Sequence, residues 1–179
     1  MCVAINPLMT YLMKQIIIFM TAICFALGCK AGNIDNTPVK TFDLQRFLGS
    51  WYEVARFDHW FERGMEQTKA TYKLRADGKI EVLNTGIKNG KPKESKGKAK
   101  TTDTTGLLRV SFFGPFYSDY RIFLIDKDYQ YALIGSGSDS YLWILSRRAQ
   151  LTKETKELIL KEAQRRGYDT GKLIWVKHN

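Results

Sequence analysis

Few side chains in this 179-residue sequence could carry covalent chemistry. There are two histidines, His59 and His178, and three cysteines, Cys2, Cys24 and Cys29. With so few histidines, no Ser-His-Asp constellation and no metal cluster stands out, and no cofactor is expected. Neither histidine falls in a strand expected to face a barrel interior, which argues against haem ligation. Glu53 would be a general base only if its strand turns it inward, where a carboxylate is usually paired with a hydroxyl or an arginine. His59 reads as a loop hydrogen-bonder. Chemistry points instead to Cys29, the last residue of "ALGC", which ends an apolar run.

That run begins at Met13-Lys14 and continues from Ile16 to Leu27. It has the order of a secretory leader, with a basic start, an apolar stretch and small residues before a cleavage point. It is too short to span a bilayer as a permanent helix. Residues 1–28 are therefore expected to be a signal peptide, whose start is Met13 or, with a long uncharged stretch before Lys14, Met1. Ala26-Leu27-Gly28-Cys29 resembles the lipobox of bacterial lipoproteins, with Ala26 where that motif usually has Leu. The resemblance implies cleavage before Cys29 and acylation of that residue, with palmitate-type chains. An exported domain with one leftover cysteine needs such an explanation, and two or more acyl chains anchor a chain end stably.

Residues 30–41, "KAGNIDNTPVKT", are polar and turn-rich and read with Cys29 as a tether, 29–41. The rest, 42–179, reads as one domain. Asp77-Gly78 between "TKATYKL" and "KIEVLNTGI" is a strong hairpin signal, and Asn89-Gly90 follows the second run. Eight strands are expected at about 50–57, 68–75, 79–88, 94–101, 107–113, 119–126, 129–135 and 140–147. Then the period changes. Thr152 caps a helix with Glu154 in its first turn, Arg165 and Arg166 in its last, and Gly167 at its stop. Leu158, Ile159 and Ala163 are assigned to its buried stripe. "KLIWV", 172–176, reads as a ninth strand. The expected fold is all-β: an eight-stranded antiparallel up-and-down barrel, with the helix packed outside.

Net charge is +10. Lys96, Lys98 and Lys100 alternate with small residues, which puts lysines on one face of a strand and leaves room behind the other. A nucleic-acid surface would interleave aromatics with the lysines, and none are present. Basic charge on an exported protein suits anionic lipid.

Three motifs in order now carry a resemblance. Gly49-Ser50-Trp51 resembles the G-x-W motif of lipocalins, Ser118-Asp119-Tyr120 their second motif, and Arg147, ending "YLWILSR", their third. "RFDHWFERG", "SFFGPFY" and "IWV" resemble the branch formed by bacterial outer-membrane lipoproteins and related to apolipoprotein D. The likeness covers about 42–178. It implies that Trp51 plugs the closed barrel end with Arg147 against it, and that Gly49, Trp51, Asp119, Tyr120 and Arg147 are structural. It implies a carrier or store of fatty acids or lysophospholipids that is not an enzyme, anchored to the outer membrane through Cys29, on its periplasmic face. Lys30, where a retention signal would have Asp, agrees with that membrane. A homodimer is a further partner to consider.

If Trp51 faces inward, strand alternation puts Glu53, Ala55 and Phe57 beside it. Tyr141 and Trp143 share a face with Arg147, and Phe113, Pro115 and Tyr117 share another. Tyr117 and Trp143 match ligand-lining positions of the bacterial branch. The expected ligand site is therefore Ala55, Phe57, Phe113, Tyr117, Tyr141 and Trp143, with Arg121, Arg56 or Arg63 meeting a charged head. Two other readings are carried: an enzyme on the same scaffold, with Glu53 as base, and a module binding anionic surfaces through its lysines. Another small hydrophobic cargo would fit the same bore.

Overall fold

Two turns do what their residues require. In the computed structural model, which describes residues 34–179, Gly78 has φ +76° and Asn89 and Gly90 have φ +52° and +71°. Paired positive φ values are those of a type I′ hairpin, whose twist matches that of the strands it joins. The leader, Cys29 and the start of the tether lie outside the described residues.

A short helix, α1 (Leu44–Phe47), opens the domain, capped by the Asp43 carboxylate on Gln45 N–H at 2.8 Å. Eight strands follow: β1 (Gly49–Arg56), β2 (Met65–Leu74), β3 (Ile80–Lys88), β4 (Lys91–Thr101), β5 (Leu107–Phe113), β6 (Phe116–Ile125), β7 (Tyr131–Gly135) and β8 (Leu142–Ser146). Each is antiparallel to the next, and β1 pairs with both β8 and β2, which closes the barrel. Near Arg56, β2 leaves the edge of β1 and β9 (Ile174–Trp175) takes its place.

The core has two parts. Inside the barrel, Trp51, Tyr72, Ile80, Val82, Leu108 and Ile122 pack with Phe47. Outside it, Val54, Phe123, Leu133 and Ile144 meet α2 (Lys153–Arg165) through Ile159 and Ala163. Thr152 caps α2 on Thr155 N–H at 3.2 Å. Leu158, assigned to the buried stripe, is exposed. Residues 34–41 are laid along the wall rather than swinging free: Val39 N–H donates to Ile122 O at 2.8 Å, and the Arg166 guanidinium donates to the carbonyls of Asp35 and Thr37.

The closed end is a clamp. The Trp51 N–H donates to Phe47 O at 2.7 Å, and the Arg147 guanidinium carbon stands 3.8 Å from the centre of the Trp51 rings. The same guanidinium donates to the carbonyls of Ser50, Arg46, Phe47 and Leu48. Gly49, at φ +91°, lets the chain turn under it, with Arg147 Nη1 3.4 Å from where a Cβ would stand. Arg147→Ala is expected to lower unfolding free energy by about 2–4 kcal/mol, since a cation–π contact and several charged hydrogen bonds go together. Denaturant titration measures this. Arg147→Lys should recover little, because an ammonium cannot span four carbonyls in one plane.

Candidate functional site

The mouth lies at the other end of the barrel, where residues 57–64, the β3–β4 turn, the β5–β6 turn and residues 136–141 gather. What faces into it is decided by irregularities in the strands. The β1–β8 register shifts between Glu53 and Ala55, so Val54 and Ala55 both turn outward. Glu53 and Arg56 then share the inner face, and Phe57 returns to the outside.

Arg56 is 2% exposed and sits among the carboxylates and carbonyls of the mouth. Its Nη1 donates to Glu53 Oε1 at 2.7 Å, and its Nη2 donates to the carbonyls of Glu62 and Met65 at 2.9 and 3.0 Å. Thr68 Oγ1 donates to the same Glu53 oxygen at 3.2 Å. Arg56 Nε is buried with no partner, as are His59 Nε2 and Asn84 Oδ1. Above them Trp143 donates its N–H to Glu62 Oε2 at 3.2 Å. His59 lies between Phe61 and Tyr141, at ring separations of 5.3 and 4.7 Å, and 5.0 Å from Trp143. The mouth is thus an aromatic stack over a buried arginine and two carboxyl groups. Further in, the Tyr72 and Tyr120 hydroxyls meet across the bore at 2.7 Å.

Burial raises both carboxyls, Glu62 to about 8 with the neighbouring Glu53 charge adding to the effect. Glu53 has the guanidinium and Glu62 does not, so the proton resides on Glu62. Burial and the Arg56 charge pull the His59 imidazole below its ordinary value, which keeps it neutral. Among the described residues, no three His, Cys, Asp or Glu side chains gather to hold a metal ion.

The expected ligand-lining set is therefore redrawn. Trp143 and Tyr141 stand at the mouth, stacked with His59. Ala55 and Phe57 face the helix instead, because of the bulge in β1. Tyr117 is on the outer wall, with the Lys98 and Lys100 ammonium groups 5.7 and 5.0 Å from its ring centre. Regular alternation along β5 from Leu108 and Val110 puts Phe112 inside, its ring on Gly97, where any Cβ would come within 2.7 Å. Phe113 is left at the turn, 69% exposed. Arg121 is on the outside, paired with Asp119 at 2.8 Å and donating to Asn36 O. Arg63 pairs with Asp58 on the surface. Sequence reasoning named Arg56 only as one of three head-group candidates and gave Glu62 no role. The signal for Glu62 was its place in "FERG", an acid within an aromatic loop.

Two concavities lie outside the bore. One, about 570 Å³, runs along β4–β6 by Lys100, Arg109 and Tyr117. The other, about 400 Å³, lies by Phe42, Arg46 and Tyr129 at the closed end.

The Lipocalin-like domain family matches residues 42–178. The chain belongs to the lipocalin family. It is 48% identical over 145 residues to Outer membrane lipoprotein Blc of Escherichia coli (strain K12), covering 79% of this chain and 82% of that protein. Apolipoprotein D of Mus musculus is 33% identical over 136 residues, covering 69% and 71%. Insecticyanin from the tobacco hornworm Manduca sexta superposes with a TM-score of 0.68 at 25% identity, over 83% and 90% of the two chains. This lipocalin shares the outer-membrane, lipid-anchored location of its bacterial relatives. Its eight-stranded barrel, closed at one end by the Trp51–Arg147 clamp, is the frame of a family that binds small hydrophobic ligands.

Because the folded lipocalin holds a proton on Glu62 that the unfolded chain releases above about pH 4.5, its unfolding free energy should decline as pH rises from there through 8. Glu62→Gln should flatten that decline. Urea titrations at pH 5, 6.5 and 8 give the comparison, and equal slopes in both proteins would contradict the assignment of the proton.

Proposed function

We propose that this lipocalin carries or stores fatty acids or lysophospholipids on the periplasmic face of the outer membrane, without turning them over. Cys29 is the acylated residue. The observation that carries the reading is the composition of the mouth: a buried guanidinium with an unpartnered Nε beneath the Trp143–His59–Tyr141 stack. An acyl tail takes the apolar bore, and its charged head finds Arg56, a group suited to carboxylate or phosphate. Burying about 14 methylenes gives roughly 11 kcal/mol at about 0.8 kcal/mol each. Ordering the tail takes back several kcal/mol. Binding in the micromolar range is the outcome.

Glu53 does not support the enzyme reading. Its carboxylate is tied to Arg56 and Thr68. The lysine-rich wall is separate from the mouth: Lys98 and Lys100 lie over Tyr117 on the outside.

Titration with a long-chain fatty acid is expected to quench tryptophan fluorescence in the native protein. Most of that quenching should vanish in Trp143→Phe with the fold intact, and unchanged quenching would remove Trp143 from the site. Replacing Lys96, Lys98 and Lys100 by Ser should leave fatty-acid affinity within about twofold, as expected of surface changes away from a site. Loss of affinity in that variant would move the site to the outer wall.

A further inference from the structure

Five of the six large exposed aromatic side chains among the described residues gather at one end of the barrel. Trp60 is 74% exposed, Phe113 69% and Phe116 78%, and Phe61 and Tyr141 are also open to solvent. These five lie at the open end: Trp60 and Phe61 after β1, Phe113 and Phe116 on the strand ends flanking the β5–β6 turn, Tyr141 before β8. The sixth, Trp175, lies on β9 with the Lys156 ammonium 3.7 Å from its ring centre. Single exposed apolar residues need no explanation, whereas a ring of them at one end of a molecule does. The start of β4 at the same end contributes exposed Lys91 and Lys93. Aromatic tips with lysines between them suit the boundary of a bilayer with anionic head groups.

The point where the chain leaves the body agrees. Asn36 Nδ2 reaches Gly137 O at 3.5 Å, within the β7–β8 connection at the mouth, and Tyr168 hydroxyl donates to Ser138 O in the same connection. Ile34 packs beside the helix. From Ile34 to Cys29 is five residues, a reach of about 17 Å when fully extended. Eight residues of strand separate the open end from the closed end, about 26 Å along the strand. An anchor at Cys29 therefore brings the mouth, and not the clamp, to the membrane.

We propose that the lipocalin docks mouth-down on the bilayer that holds its anchor, with the aromatic turns seated among the lipid head groups. The proposal rests on the anchored-lipoprotein reading and adds an orientation to it. In that orientation an acyl chain passes between bilayer and bore without crossing bulk water.

The acylated full-length protein in vesicles of phosphatidylethanolamine and phosphatidylglycerol provides the test. Spin labels are attached singly to Trp60→Cys, Phe116→Cys and Lys127→Cys. Lys127 is on the closed-end turn, with its side chain 91% exposed. Labels at 60 and 116 are expected to gain collisions with oxygen and lose them with a water-soluble nickel chelate, while the label at 127 stays fully accessible to nickel. Equal nickel access at all three positions overturns the proposal, as does protection at 127. Dipolar broadening between labels at 116 that persists when the protein is diluted with a large excess of lipid shows a second copy on the tips and also overturns it. Two further readouts keep the failures apart. Intact-mass measurement without an acyl increment at Cys29 would remove the anchored reading underneath. Loss of fatty-acid binding with the rim labels still in lipid would remove the cargo and leave the orientation.

Discussion

Closing one end of the barrel is the constraint on which the rest depends. An eight-stranded barrel has two openings, and a directional pocket needs one of them sealed. Here the seal is the Arg147 guanidinium, held flat over Trp51 by carbonyls from α1 and the start of β1. The arrangement fixes more than the plug. It sets the start of β1, and with it the face on which Trp51 and Glu53 stand. It also ties the end of β8 to the segment before β1, so the two strands that close the barrel are joined at its base.

At the opposite end the protein spends stability. A guanidinium and two carboxyl groups are nearly dry there, and buried ion pairs seldom return more than their desolvation costs. The apolar plug and the outer helix interface stabilise the barrel enough to hold them. Such a cluster makes sense as a polar landing for the end of an otherwise apolar ligand. A neutral Glu62 can donate to that landing or accept from Trp143, and the unpartnered Arg56 Nε keeps a donor in reserve.

How much of this could be read beforehand varied with the kind of signal. Motifs and turn chemistry were legible: Gly49, Trp51 and Arg147 announced the clamp, Asp77-Gly78 and Asn89-Gly90 the hairpins, Thr152 and Gly167 the helix ends. Interior facing was legible only where strands are regular. Strict alternation placed Ser95, Gly97 and Ala99 inside, and Ala99 is indeed in the bore core. It failed for Ala55 and Phe57, because one extra residue in a strand reverses every side chain after it, and for Tyr117, because parity does not carry from Phe113 across the Gly114-Pro115 turn into β6, where Tyr120 and Ile122 face the bore. Nothing local in "WYEVARF" marks a bulge. Its signature is a consequence, an arginine and a glutamate three apart that both find partners inside. Helix α1 escaped notice because four residues carry too little periodicity to show.

A crystal structure of the protein with a long-chain fatty acid tests the central claim most directly. The account requires the tail inside the bore, passing Trp143, with the carboxylate within hydrogen-bonding distance of Arg56. A tail lying instead in the outer groove beside Tyr117, or a carboxylate turned away from Arg56 with the bore filled by the protein's own side chains, would contradict it.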